Sequence, residues 1–282
     1  MTNNQITLVF LLRNGPDSWE HLDKFLRSLE RFPGGYPCKK LVLLKGFTRS
    51  EIDTNLPKYN LDRTNTFEVP DTNYDLGSYF YALKKISTEY AIFFNSYARP
   101  QAKDWLEIYE SAARENKSGL VGATGSYESR GFTSPMRGVR SFRKRFSWAA
   151  RYAYRLITTV RDVRNNANFP NRHIRTNAFL TMVSVYENYI LKYGLPESKR
   201  DCHLIESGPN SFTRHVESMG LNPGVVDATG QFFSLNNLHH AKGFRRGAQK
   251  KLLVSDNRTR DFQNASSEEK LSLEWDAWRD ID

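Results

Sequence analysis

Cysteine is scarce in this chain. Cys38 and Cys202 are the only two in 282 residues, too few for a disulfide framework, and no Cys-x-x-Cys or Cys/His cluster points to zinc. Long apolar runs are missing as well. A membrane helix needs about 20 apolar residues, and nothing here approaches that. The N-terminal run ITLVFLL at 6–12 lacks a basic leader and a small-residue cleavage site, so it reads as a core strand rather than a signal peptide. Internal repeats and low-complexity segments are absent. These absences exclude secreted disulfide scaffolds, spanning proteins and repeat arrays. They leave a soluble globular chain, expected in the reducing cytoplasm, with ample length for a core.

Charge of one sign is unevenly spread. The net charge is +10, and residues 137–164 (RGVRSFRKRFSWAARYAYRLITTVRDVR) carry nine Lys or Arg against one Asp. Apolar residues such as Phe142, Phe146, Ala149, Ala153, Leu156 and Val160 recur there at helical spacing, with arginines between them. The pattern predicts a basic amphipathic helix within an insertion at 137–168. Such a helix suits an anionic membrane surface, although a helix packed on the core with a solvated basic face fits the same pattern. No RRM, KH, zinc-finger or helix-turn-helix signature accompanies the charge, so nucleic acid is not an expected partner.

The first hundred residues alternate between two periods. ITLVFLL (6–12), KLVLLKGF (40–47), TFEV (66–69) and YAIFFN (90–95) read as strands. Between them, Trp19 to Phe32, residues 49–56 and Asp75 to Lys85 follow helical spacing. The order predicts an α/β fold with a mostly parallel sheet flanked by helices. Later segments read as a helix at 104–115, a strand at 119–124, a helix at 184–193, a turn then a helix from about Ser211, and a short strand within 222–230. From about Phe232 the chain reads as a polar tail. The expected organisation is one domain over 1–235 and a C-terminal extension, 236–282, packing on it.

In open α/β sheets, ligands bind beyond the carboxyl ends of the strands. Those ends carry Arg13-Asn14, Lys45-Gly46, Asp71 to Asp75, and Asn95-Ser96-Tyr97. One crevice should collect them.

The stretch DTNYDLGSYFYALKKISTEYAIFFNSYARPQAKDWLE (71–107) resembles the central segment of the GT-A glycosyltransferases, especially family 2, and the resemblance spans roughly residues 5–230. It implies a Rossmann-like sheet and transfer of a sugar from a nucleotide-sugar donor to a polysaccharide or glycolipid acceptor. In that family the strand ends in two aspartates that hold Mg²⁺ or Mn²⁺. Here Asn95 and Tyr97 stand at those places, and neither binds a hard dication as a carboxylate does. The expectation is therefore metal-independent transfer with no required cofactor.

The resemblance places Arg13, Asn14, Lys45, Asp75, Gly77, Asn95, Ser96 and Tyr97 at the donor. It also places Glu206 at the first of two acids near the acceptor. The second acid, the usual base, is Ser207 here, so Glu206 and Asp201 are the carboxylates expected to act. HIRTNAF (173–179), the ESG at 206–208 and TR at 213–214 resemble bacterial polysaccharide glycosyltransferases without a clear metal motif. His173, Arg175, Asn177, Arg214, His239 and His240 are accordingly expected to contact diphosphate or acceptor. Cations must neutralise the departing diphosphate when no metal does. Peripheral attachment to the inner membrane, and a GT-A-shaped nucleotide or glycan binding module without turnover, complete the expectations.

Overall fold

The computed structural model describes residues 6–129 and 168–279. The basic insertion predicted at 137–168 thus falls almost wholly outside the described residues. In chain order the elements are β1 (Ile6–Arg13), α1 (Ser18–Arg31), β2 (Cys38–Lys45), α2 (Arg49–Asn55), β3 (Thr66–Val69), α3 (Tyr74–Ala82), β4 (Tyr90–Phe94), β5 (Arg99–Pro100), α4 (Trp105–Glu115), β6 (Leu120–Gly122) and β7 (Gly125–Ser126). After the insertion come β8 (His173–Ile174), β9 (Ala178–Met182), α5 (Val183–Tyr193), α6 (Lys199–Ser207), α7 (Phe212–Ser218), β10 (Gly224–Val226), β11 (Phe232–Ser234), β12 (Val254–Ser255), α8 (Asn257–Asn264) and α9 (Ser267–Trp278).

Eight strands form one sheet in the order β11-β10-β6-β9-β4-β1-β2-β3. The β1–β2, β1–β4, β2–β3 and β6–β10 pairs are parallel. β9 runs antiparallel between β4 and β6, and β11 antiparallel beside β10. Side chains alternate across the sheet because a strand has a two-residue period. Val9, Leu11, Leu43, Phe93 and Phe179 therefore enter one core, with Tyr79 of α3, Tyr186 of α5 and Phe212 of α7. Leu8, Phe10, Leu12, Ile92 and Phe94 enter the other, with Phe25 of α1 and Trp105 of α4. The sheet is thus covered on both faces, which is why its strands read as near-continuous apolar runs.

Two expectations are corrected here. The segment from Glu206 does not open as a turn: Glu206 and Ser207 are the last residues of a helix, α6, started by the capping box of Ser198 and Asp201. The stretch from Phe232 is not merely a polar tail. It holds two strands and two helices, β12 pairs with β5, and Trp278 is 1% exposed against Tyr127, its indole N–H donating to the Phe244 carbonyl at 2.6 Å. Too few apolar residues punctuate this polar segment for periodicity to show it. None of the described helices is long and apolar enough to cross a membrane, and Cys38 and Cys202 are separate, free and partly buried.

Candidate functional site

The parallel strands end at one edge of the sheet. There a cavity of about 270 Å³ opens beyond β1 and β4, lined by Arg13, Asn14, Gly15, Pro16, His21, Asp75, Ser96 and Tyr97. It brings together five of the side chains expected at the donor. His21 was not anticipated. Its place in the first turn of the helix that follows β1 was the available signal, since that turn borders the ligand crevice in α/β sheets.

Local hydrogen bonds build the walls. The Asn14 backbone N–H donates to the Lys45 carbonyl at 2.8 Å and its side-chain amide to the Gly46 carbonyl at 2.9 Å. Gly46 takes φ 77°, a left-handed conformation that glycine adopts without steric cost. The Ser96 hydroxyl donates to the Leu11 carbonyl at 2.8 Å and accepts from the Arg13 N–H at 3.4 Å. Asn95 Oδ1 accepts from the Tyr97 N–H at 3.1 Å, so this amide folds the turn. Tyr97 is 42% exposed and meets the His21 ring edge-on at 4.9 Å.

Lys45 and Gly77 play a different part from the one expected. Lys45 is 2% exposed, and its ammonium donates to the Thr72 carbonyl (2.7 Å), the Tyr74 carbonyl (2.8 Å) and the Ser78 hydroxyl (3.1 Å). All three of its protons are engaged, so it braces the start of α3 rather than facing a phosphate. A Cβ at Gly77 would lie 2.3 Å from the Asn73 Cβ; the glycine lets α3 close onto its own N-terminus. Asp75, by contrast, makes no hydrogen bond or ion pair among the described residues. Burial pushes its carboxyl above the usual range, partly countered by Lys45 and Arg13.

Next to this cavity lies the start of β9. The Asn95 N–H donates to the Asn177 carbonyl at 3.1 Å, tying the end of β4 to the 173–177 segment. One residue earlier, Thr176 donates its N–H (2.9 Å) and its hydroxyl (2.6 Å) to Glu206 Oε2. Burial raises the Glu206 pKa, but His173, Arg175 and the Thr176 bonds outweigh it and hold the carboxyl below its ordinary value. Oε1 takes no hydrogen bond among the described residues. His173 is buried, its Nδ1 is 2.7 Å from the Asn171 carbonyl, and burial lowers its pKa. Asn177 Oδ1 accepts from the Thr124 hydroxyl at 3.3 Å, while its Nδ2 is buried without a partner.

Several expected residues are engaged elsewhere. Arg175 donates to Thr124 Oγ1 at 3.1 Å and to Asp256 at 2.9 Å, and lies 3.9 Å from the Phe244 ring centroid. It anchors the C-terminal segment instead of meeting a phosphate. Asp201 does not pair with Lys199 or Arg200. It accepts from the Ser198 N–H (2.8 Å), the Ser198 hydroxyl (2.9 Å) and the Glu197 N–H (3.0 Å), bonds that lower its pKa. It is a helix cap. Arg214 is exposed on α7 and lines neither cavity. His239 Nδ1 is 3.1 Å from the Tyr127 hydroxyl, and its ring is 3.9 Å from that of His240. His240 lines a second cavity of about 410 Å³ beyond β10, with Asp227, Lys242, Lys250 and Lys251.

A divalent ion of the kind implied by the GT-A resemblance does not fit these residues. Asp75 is the single carboxylate lining the β1–β4 cavity, Asn95 Oδ1 is turned to backbone, and no three His, Cys, Asp or Glu converge as ligands among the described residues. Hard dications take oxygen ligands, carboxylates foremost.

No protein-family model matches the chain, and no curated protein matches it by sequence. Among solved structures it is similar to the inositol-1-phosphate CTP transferase from T. maritima, at 10% identity and TM-score 0.41, over 80% of this chain and 86% of that one. It is also similar to 4-diphosphocytidyl-2C-methyl-D-erythritol synthase from Anaerococcus prevotii, at 15% identity and TM-score 0.43, over 79% and 88%. S. aureus TarS in complex with UDP-GlcNAc matches at 17% identity and TM-score 0.33, over 42% of this chain and 33% of that one. At this distance the likenesses identify no activity for the chain, and family 2 is not singled out among them.

Proposed function

We propose that the chain is a GT-A-like glycosyltransferase that moves a sugar from a nucleotide-sugar donor to a glycan or lipid-linked acceptor, without a required metal. The observation that supports it most is the tie between two groups of residues. The Asn95–Asn177 bond joins the wall of the β1–β4 cavity to the segment whose Thr176 orients Glu206. In this scheme a nucleotide in the cavity meets Arg13, Asn14, Asp75 and the Tyr97 ring, and Glu206, tied to the cavity wall through Thr176 and the Asn95–Asn177 bond, has one oxygen held and one that takes no hydrogen bond among the described residues.

For an inverting transfer, the acceptor hydroxyl gives its proton to Glu206 Oε1 as its oxygen bonds to the anomeric carbon. The bond from that carbon to the diphosphate breaks, and the nucleoside diphosphate leaves with the electron pair. A positioned base contributes about 10²–10⁴-fold, and holding the partners in line contributes more. Asp201, committed to its cap, has no part in this scheme.

A thermal-shift and calorimetric screen against nucleosides, nucleoside diphosphates and nucleotide sugars tests the reading, because a ligand that binds only the native state stabilises it. Stabilisation by a nucleotide sugar together with slow hydrolysis of that sugar is expected. Binding with no turnover or hydrolysis leaves the binding module; no nucleotide binding at all ends the reading.

A further inference from the structure

Two of the cations expected at the phosphates are otherwise engaged: Lys45 braces α3 and Arg175 pairs with Asp256. Two other arginines, 161 positions apart, are brought together by the β5–β12 pairing, in which Ser255 lies opposite Arg99. Arg260 follows in α8. It donates to the Ser255 hydroxyl at 3.1 Å and to the Tyr97 carbonyl at 2.9 Å. Arg99 is partly buried, its Nε is buried without a partner, and among the described residues its guanidinium makes no hydrogen bond or ion pair.

No carboxylate neutralises the pair by contact. Asp256 is taken by Arg175, Glu20 pairs with Lys24, and Asp261 is exposed beside Arg260. Burial lowers the Arg99 pKa and the charge of Arg260 lowers it further; burial lowers that of Arg260 too, partly countered by Asp256 and Asp261. Two partly buried like charges cost free energy, and an anion between them offsets that cost. The pair also borders the cavity: Arg260 holds the backbone of Tyr97, and His21, whose Nδ1 is buried without a partner, feels the charge of Arg99. Both Tyr97 and His21 line the β1–β4 cavity, as does Arg13.

We propose that Arg99 and Arg260 form a diphosphate-binding site beside the β1–β4 cavity, taking the role that a metal plays where the aspartates are present. Planar guanidinium forks match phosphate oxygens two at a time. The inference rests on the glycosyltransferase reading for the identity of the ligand, a nucleoside diphosphate, but the site has its own test.

Inorganic pyrophosphate, titrated calorimetrically into the full chain with EDTA present, is the probe. Wild type should bind it, and Arg99→Gln and Arg260→Gln should each weaken binding by about tenfold, the usual worth of a charged hydrogen bond. Arg260→Lys, which keeps the charge and loses the fork, should fall between. Lys39→Gln, a charge-matched change at the opposite edge of the sheet, should bind as wild type. Because the Arg99 guanidinium makes no hydrogen bond or ion pair among the described residues, Arg99→Gln should unfold at the wild-type temperature or above, which separates lost binding from lost structure. No pyrophosphate binding by wild type, or unchanged affinity in both Gln variants, overturns the site. Arginine-dependent pyrophosphate binding without any nucleotide-sugar binding would instead retain the site and sink the glycosyltransferase reading.

Discussion

The Arg175 guanidinium donates to the Asp256 carboxylate at 2.9 Å, and both side chains are buried. The pair joins the start of the β9 segment to the C-terminal residues, and Asp256 also accepts from the Thr259 N–H at 2.7 Å as the cap of α8. Removing one partner of a buried pair leaves an uncompensated charge, which costs about 3–5 kcal/mol. Asp256→Ala should therefore destabilise the chain by that order in urea. Burial raises the Asp256 pKa, but Arg175 and the Thr259 bonds outweigh it and leave it lowered. Its stabilisation is then present above the unfolded value, near 3.8, and lost as pH falls through the folded one. The wild-type and Asp256→Ala stabilities should converge on acidification; a constant gap would show that the charge is not the cause.

Glu206→Gln keeps size and hydrogen bonding but removes the basic oxygen. Turnover should drop by about 10²–10⁴-fold, with donor affinity within a few-fold. The lowered Glu206 pKa keeps the base ionised through the neutral range and puts its acid limb below 4.5, the ordinary value. Thr176→Val, which removes the 2.6 Å hydroxyl bond, should move that limb upward. Asp201→Asn should leave turnover intact and cost about 1 kcal/mol or less of stability through the α6 cap. Weak donor binding with normal saturated turnover in Glu206→Gln would make Glu206 a binding residue.

Asp75 carries a raised pKa with burial as its first cause. The sign is opposite to that of Asp256: its contribution is favourable below the unfolded pKa and is lost as pH rises through the folded value. Asp75→Asn should accordingly stabilise the chain at neutral pH and make no difference well below 3.8, while weakening nucleotide binding. Thermal midpoints at the two pH values, with and without nucleotide, check both halves.

Donor affinity should be the same in EDTA and in excess Mn²⁺. The reason is the donor set around Asp75, Asn95 and Tyr97, which offers one carboxylate. A loss of about a hundredfold on chelation, some 2.7 kcal/mol, would overturn the metal-independent reading and direct attention to Asp71 and Asp75.

The basic segment 137–164 should bring the chain to vesicles that contain anionic lipid. Each Lys or Arg near such a surface contributes about 1 kcal/mol, and the attraction is screened over about 8 Å at physiological ionic strength. Co-sedimentation that ignores lipid charge and salt would remove the electrostatic account.

The layered fold was legible because its signals are local. β1 to β4 are short apolar runs with helical spacing between them, and Asn14, Asp75, Ser96 and Tyr97 followed from the rule that ligands meet the carboxyl ends of parallel strands. Glu206 came from the resemblance alone. α6 was missed because its start signal, Ser198 with Asp201, is a capping box that used the very carboxylate assigned to chemistry.

Sequence by itself determined the alternating strands and helices of the first hundred residues, since periodicity, caps and turn residues act over a few positions. Only the tertiary structure decided which cations are available. Lys45 and Arg175 read as phosphate ligands from their types and places, yet a buried cation must be paired or hydrogen-bonded where it lies, and α3 and Asp256 supply those partners. Arg99 and Arg260 gave no such signal. Their closeness arises from a two-residue strand pairing across more than half the chain, and long-range pairing of that kind leaves no period in the sequence to read.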